Sequence, residues 1–378
     1  MAASDSSSLG GGSGAPGTPP GGERGPLVFH GKERRRRRRI VAAIAAVVAV
    51  VLIVAAVLES NTHAIVFRQV GIGPIKLLPV GAVMHAAFGQ HDLPTPQAGP
   101  DGIVLGRDGA LYFAEQGAGS IGRLVIAGAE LIPFGPQGSI GPGGLTFGPD
   151  GALWFTEPHA NKIGRLTLQG ALSEYPIPTI DTVPDQITAG PDGALWFTEA
   201  NNIGRVTTSG AITEFPMPTG TSPTDIVAGP DGAVWFTDDP RGQIDRLTPA
   251  GTLRIFTLPS GAHPGAIVVG PDHALWWLDV GQNEIGRVTA SGAVREFSIP
   301  TGRSGLTGLC VGPDGNLWFT ELLSDQIGRL TPAGLVTEFV LPNGSNPDAI
   351  IAGPNDTLWF TEPGSNQIGE LILHPHPY

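Results

Sequence analysis

The chain has 378 residues, 56 of them glycine and 36 proline, only 15% charged side chains and a formal net charge of −12. That length is ample for a large core, and the acidic balance argues against a nucleic-acid or anionic-lipid partner. The single cysteine, Cys310 in the apolar run LTGLCVG, excludes an internal disulfide framework and reads as a buried, inert thiol.

Residues 1–39 form a Gly-, Ser- and Pro-rich tail, expected to be disordered at 1–22, that ends in the basic block KERRRRRR at 32–39. Residues 40–58 carry no polar side chain. As a helix they would span about 28 Å, close to the ~30 Å hydrocarbon core, which predicts a transmembrane signal anchor. The arginines abut its N-terminal end, so the N-terminus is expected in the cytoplasm and everything after residue 58 outside a cell membrane crossed once. A cleaved signal peptide is the rival reading, but its apolar region runs to only about 7–15 residues. The first 39 residues carry a net +5, which leaves −17 for the rest. Residues 59–82 read as a tether.

From residue 83 the chain is organised by one stretch, GPDGALWFTE, spelled out at 148–157 and again at 190–199. Variants begin at Gly106, Gly229, Gly270, Gly312 and Gly353, making seven copies. Aligned on the aromatic they give Tyr112, Trp154, Trp196, Trp235, Trp276, Trp318 and Trp359, 39 to 42 residues apart. Such a fixed period marks a repeat architecture. Each unit divides into four short segments separated by turns, and none shows helical periodicity, so each predicts a four-stranded antiparallel sheet. Seven such sheets arranged radially make an all-β, seven-bladed propeller over residues 83–373, followed by a tail at 374–378. The Trp–Phe pair is expected to fill the space between blades. The last repeat stops after its third strand, and residues 86–94 resemble the missing fourth. An N-terminal strand is therefore expected to complete blade seven and leave no exposed edge.

The last position of WFTE is acidic in every repeat: Glu115, Glu157, Glu199, Asp238, Asp279, Glu321 and Glu362. If these project to one face they form a ring of carboxylates, joined by Asp101, Asp185 and Asp348 from the starts of inner strands. Oxygen-rich sites suit Mg²⁺ or Ca²⁺, with Glu321 and Glu362 as candidate ligands, and crowding raises a carboxylate's pKa toward that of a general base. The bland alternative is that these acids bind loop amides or the arginine that recurs in IGR. His159 and His263 fall in loops on the expected binding face, where either a solvated surface role or a chemical one is open.

The repeats WFTE…NKIGRLT and ITEFP resemble the virginiamycin B lyase (streptogramin lyase) family across essentially the whole exported domain. The resemblance implies a seven-bladed propeller and Mg-assisted elimination, which opens a cyclic depsipeptide without adding water. In the lyases key histidines follow the proline that opens an inner strand. The matching positions here are Asp101, Gly143, Asp185, Thr224, Gly265, Thr307 and Asp348. The two repeats that carry the catalytic histidines of the lyases have Thr307 and Asp348, and a family glutamate is matched by Asn346. A second family glutamate corresponds to Glu362. Three functions stay open. The domain could be a monomeric propeller that binds a small molecule or protein on its central face, through Asp101, Asp185, His159, Thr307 and Asn346. It could be a lyase that uses Asp348 or His263 in place of the missing histidines. It could be a structural module of the cell envelope.

Overall fold

The computed structural model describes residues 85–128, 130–134 and 141–374. The expected tail, membrane span and tether at 1–82 lie outside the described residues, as do residues 375–378. Seven four-stranded antiparallel sheets follow one another along the chain. No α-helix occurs among the described residues, which contain only three short 3-10 turns. Blades one to six occupy residues 100–134, 145–176, 187–216, 223–257, 264–298 and 306–340. Within each, the strands pair in chain order from the inside outward.

Blade seven closes the ring as its incomplete repeat predicts. Its first three strands are Ile350–Ala352, Thr357–Glu362 and Gln367–His374, and the outermost is His85–Asp92 from the other end of the domain. That strand pairs along its full length, from His85 opposite His374 to Asp92 opposite Gln367. The inner strands contact one another round the axis, and the last, Ile350–Ala352, contacts the first, Pro100–Leu105.

Period-two alternation gives each second strand two different flanks. In blade two, Trp154 points one way, while Leu153, Phe155 and Glu157 point the other. All are buried. The Trp flank of each blade packs on the Phe flank of the next. Trp154 shares a core cluster with Phe197, Trp196 with Phe236, Trp235 with Trp277, Trp276 with Phe319 and Trp318 with Phe360. Trp359 closes the circle against Phe113. Each interface is therefore a small dry core, and deleting one of its Trp side chains costs about 3–5 kcal/mol.

On the Trp flank the aspartate of each GPDG turn holds two partners. Asp192 Oδ1 accepts the Trp196 indole N–H at 2.9 Å, and Oδ2 accepts the Arg205 guanidinium at 2.6 Å. The same clamp joins Asp150 to Trp154 and Arg165, Asp231 to Trp235 and Arg246, Asp272 to Trp276 and Arg287, and Asp314 to Trp318 and Arg329. In blade one Asp108 holds Tyr112 and Arg123. The recurrent arginine thus pairs with the turn aspartate rather than the WFTE acid. Strand register explains why: Arg205 sits opposite Trp196 and shares its flank, whereas Glu199 faces the other way.

Candidate functional site

The inner strands begin at one end of the axis, and there the repeat stops being repetitive. A cavity of about 360 Å³ opens between them. Its polar lining comes from Asp185 and Gln186 of blade three, Thr224 and Asp225 of blade four, Thr307 of blade six and Asp348 of blade seven. Val280, Leu309 and Ile350 supply apolar walls, and no lysine, arginine or histidine is among the lining residues. Short side chains at the strand starts leave the space open, because a cavity of this size needs small residues where seven strands converge.

Electrostatics follow from that convergence. Burial, together with the nearby Asp348 and Asp185 carboxylates, pushes Asp101 up to about 7. The side chain of Asp101 also receives the Gln116 amide and lies within hydrogen-bonding reach of Asp348. Burial raises Asp185 and Asp348 as well. Asp225 is pushed up to about 6 by burial, although the backbone N–H groups of Ile226 at 2.7 Å and Ile267 at 2.8 Å favour its charged form. Sequence reasoning missed Asp225. It lies two residues after Pro223 instead of one, and only the fold shows that this offset still faces the channel.

The structure brings Asp185, Thr307 and Asp348 together at the cavity, with Asp101 beside Asp348. The Thr307 and Thr320 hydroxyls lie 2.8 Å apart. His263 lies one residue before the strand Pro264–Val269 and is not among the residues that line the cavity. It is exposed, its backbone carbonyl accepts the Val280 N–H at 3.0 Å, and its Nδ1 lies 3.0 Å from Asp239 Oδ1. Asp239 also escaped the sequence reading, because it lies in the preceding blade. His159 is exposed in the loop after the second strand of blade two, away from the cavity lining. Asn346 joins loops: its backbone N–H donates to Asp325 at 2.7 Å and its amide to the Leu322 carbonyl at 3.1 Å.

The WFTE acids do not encircle the cavity. They lie on the Phe flanks of their blades, where Glu321 and Glu362 are both fully buried. Glu362 accepts the Gln90 amide at 2.7 Å and the Ser365 hydroxyl at 3.1 Å, while burial and the facing Glu338 push Glu321 up to about 8. Asp238 and Asp279 bind loop amides, those of Ser222 and of His263. No group of three or more His, Cys, Asp or Glu side chains among the described residues has the geometry to hold a metal ion. Glu321 and Glu362 lie on different blades, six and seven, each at the end of its own second strand.

A model of the virginiamycin B lyase family matches residues 134–375. The chain belongs to that family. It is 35% identical to virginiamycin B lyase from Staphylococcus aureus, over 77% of this chain and 100% of that one, with a TM-score of 0.73. A solved streptogramin B lyase matches equally well, at 35% identity over 76% of this chain and 98% of that one, with a TM-score of 0.73. So does a catalytically inactive histidine-to-alanine variant of the S. aureus enzyme solved with quinupristin, at 35% identity over 77% and 100% of the two chains and the same TM-score of 0.73. No curated protein sequence matches the chain. Within this virginiamycin B lyase-like propeller, Thr307 and Asp348 sit on the cavity wall.

Proposed function

We propose that the protein is a membrane-anchored, extracytoplasmic propeller that binds a small molecule or protein on its acidic central face without the family's histidine-dependent elimination. The observation that carries this reading is the lining itself: Thr307 and Asp348 face the cavity, and no imidazole does. A relative is described as catalytically inactive once a histidine is replaced by alanine. The anchor rests on the apolar run at 40–58 behind its arginines. Several carboxylates with no basic residue among them favour a ligand that brings positive charge or hydrogen-bond donors. The test is turnover: the full chain is incubated with a cyclic streptogramin B and Mg²⁺, and the product is followed by chromatography with mass detection. Intact substrate supports the proposal, and an opened ring of unchanged mass sinks it.

A second reading is favoured by the contact between His263 and Asp239. An imidazole oriented by a carboxylate is the usual arrangement of a general base. His263 Nε2 would remove a proton from the carbon next to the one that bears the ester oxygen. The C–H electrons would form a C=C bond between those two carbons as the alkyl C–O bond breaks, and the acyl side would leave as a carboxylate. His263→Ala would abolish ring opening if this base acts. An envelope structural role is the remaining alternative, which a partner captured without small-molecule binding would favour.

A further inference from the structure

The Phe flank of the blades carries a feature that the binding site does not use. In blades two, three and six a fully buried glutamate ends the second strand: Glu157 and Glu199 are 1% exposed and Glu321 is 0% exposed. Neither carboxyl oxygen of any of the three has a hydrogen-bond partner that meets ordinary distance and angle limits. The Glu157 and Glu199 carboxyls reach the glycine of IGR in their blades, Gly164 and Gly204, where a Cβ would collide with them. That glycine pairs with a second acid on the outer strand: Gly164 with Glu174, Gly204 with Glu214 and Gly328 with Glu338. The outer acids are partly in water, so each pair joins one dry carboxyl to one wet carboxylate.

Blade four keeps the pair while changing both of its positions. The outer glutamate is replaced by Ile255, and the glycine by Asp245, which is 0% exposed and has two unpartnered oxygens. The second-strand acid is shortened to Asp238, also 0% exposed, which leaves room for Asp245. Two buried carboxylates cannot both stay ionised at close range without a cation between them, so a proton is the simplest occupant.

We propose that each of these four pairs holds one proton on its buried member at neutral pH, and that losing those protons in alkali loosens the contacts between blades. Burial first, and the facing acid second, raise Glu157, Glu199 and Glu321 to about 8 and Asp245 to about 7. The charged groups that face them are Glu174 and Lys162 in blade two, Glu214 in blade three, Glu338 in blade six, and Asp238 and Arg241 in blade four. Lys162 lies 3.3 Å from Glu174, and Arg241 lies 3.8 Å from Asp238, so both cations steady the ionised member and leave the proton on the other.

The sign is opposite to that of an ordinary surface acid. A raised carboxyl binds more protons folded than unfolded between its ordinary value of 4.5 and about 8. Its contribution is complete below pH 4.5 and is lost as pH rises through 8. The six Asp clamps behave conversely, since they are lowered from 3.8 and lose their contribution only as pH falls below that value. Together they place the stability maximum in mild acid.

Urea unfolding of the full chain from pH 5 to 9 tests this directly. Between pH 5 and about 8 the unfolding equilibrium constant is expected to rise about tenfold per pH unit for each proton that unfolding releases, and to level off above that. Glu321→Gln, which mimics the protonated form, should remove one proton from that slope and unfold at higher urea than wild type at pH 9. Stability that is flat or rising between pH 5 and 8 would overturn the proposal, as would a Gln variant weakened equally at both ends. If the variant fails to fold, the infrared spectrum of wild type carrying isotopically labelled glutamate decides. A protonated-carboxyl band at pH 7 that disappears by pH 9 is expected, and its absence at pH 7 would refute the shared protons. The glutamate label keeps Asp101 out of the signal, and no ligand is involved.

Discussion

The two ends of the propeller axis obey different rules. At the GPDG end six turns repeat one device, an aspartate clamped between an aromatic side chain of the second strand and an arginine of the third. At the other end the seven equivalent positions read Asp101, Gly143, Asp185, Thr224, Gly265, Thr307 and Asp348, and the only neighbouring blades that agree are seven and one, where the ring closes. The repeated end secures the ring, and the varied end shapes the cavity. Changes at the first should therefore alter stability and leave the cavity alone, while changes at the second should do the reverse.

The largest effect expected from a point substitution is at a blade interface. Trp196→Ala should cost about 3–5 kcal/mol in urea unfolding, because the indole is fully buried against Phe236 of the next blade. A smaller loss is expected from Asp192→Ala at the turn, about 1–2 kcal/mol, since the clamp is partly exposed and solvent screens its Arg205 pair. Neither variant should change the cavity, which ligand binding or the titration of Asp101 would report.

Acid sharpens the same contrast. Burial alone would raise Asp192, but the Trp196 indole and then the Arg205 guanidinium outweigh it and hold the carboxyl below its ordinary 3.8. The clamp's contribution is present above pH 3.8 and lost as pH falls through the lowered value. Trp196→Phe, which removes the indole donor, should move the onset of acid unfolding to higher pH, as measured by circular dichroism. An unchanged onset would show that the indole is dispensable to the clamp.

At the cavity end the stability effect should be smallest. Asp348→Asn should leave urea unfolding within about 0.5 kcal/mol of wild type, while removing the charge that helps to raise Asp101. The Asp101 carboxyl should then titrate below the value of about 7 that it has beside Asp348, as read by NMR. A titration that stays near 7 would mean that burial alone sets it.

The architecture was legible because it is written seven times. The spacing of Tyr112 through Trp359 gave the blade count, and the truncated last repeat gave the closing strand. The contents of each flank were harder to read. The WFTE acids looked like a ring on one face, because a motif shows which residues recur but not which way a strand turns them. Only the register, Trp196 opposite Arg205 and Phe197 opposite Gly204, separates the clamp from the acid pair. Asp348, Asp185 and Thr307 could be placed from the strand-start pattern. Asp225 could not, nor could the pairing of His263 with Asp239, 24 residues earlier in the neighbouring blade. Contacts between blades leave no local trace in the sequence.

The claim at the centre of this account is that the varied end has kept a cavity and lost an elimination site. The measurement that tests it most directly is ring opening of a cyclic streptogramin B by the full chain, with a functioning lyase as control and Asp348→His/Thr307→His alongside. The account predicts that the wild-type chain leaves the ring closed through long incubation, and that any opened product of unchanged mass appears only with the restored imidazoles. Ring opening by the wild-type chain would contradict it, and loss of that activity in His263→Ala would then identify the base.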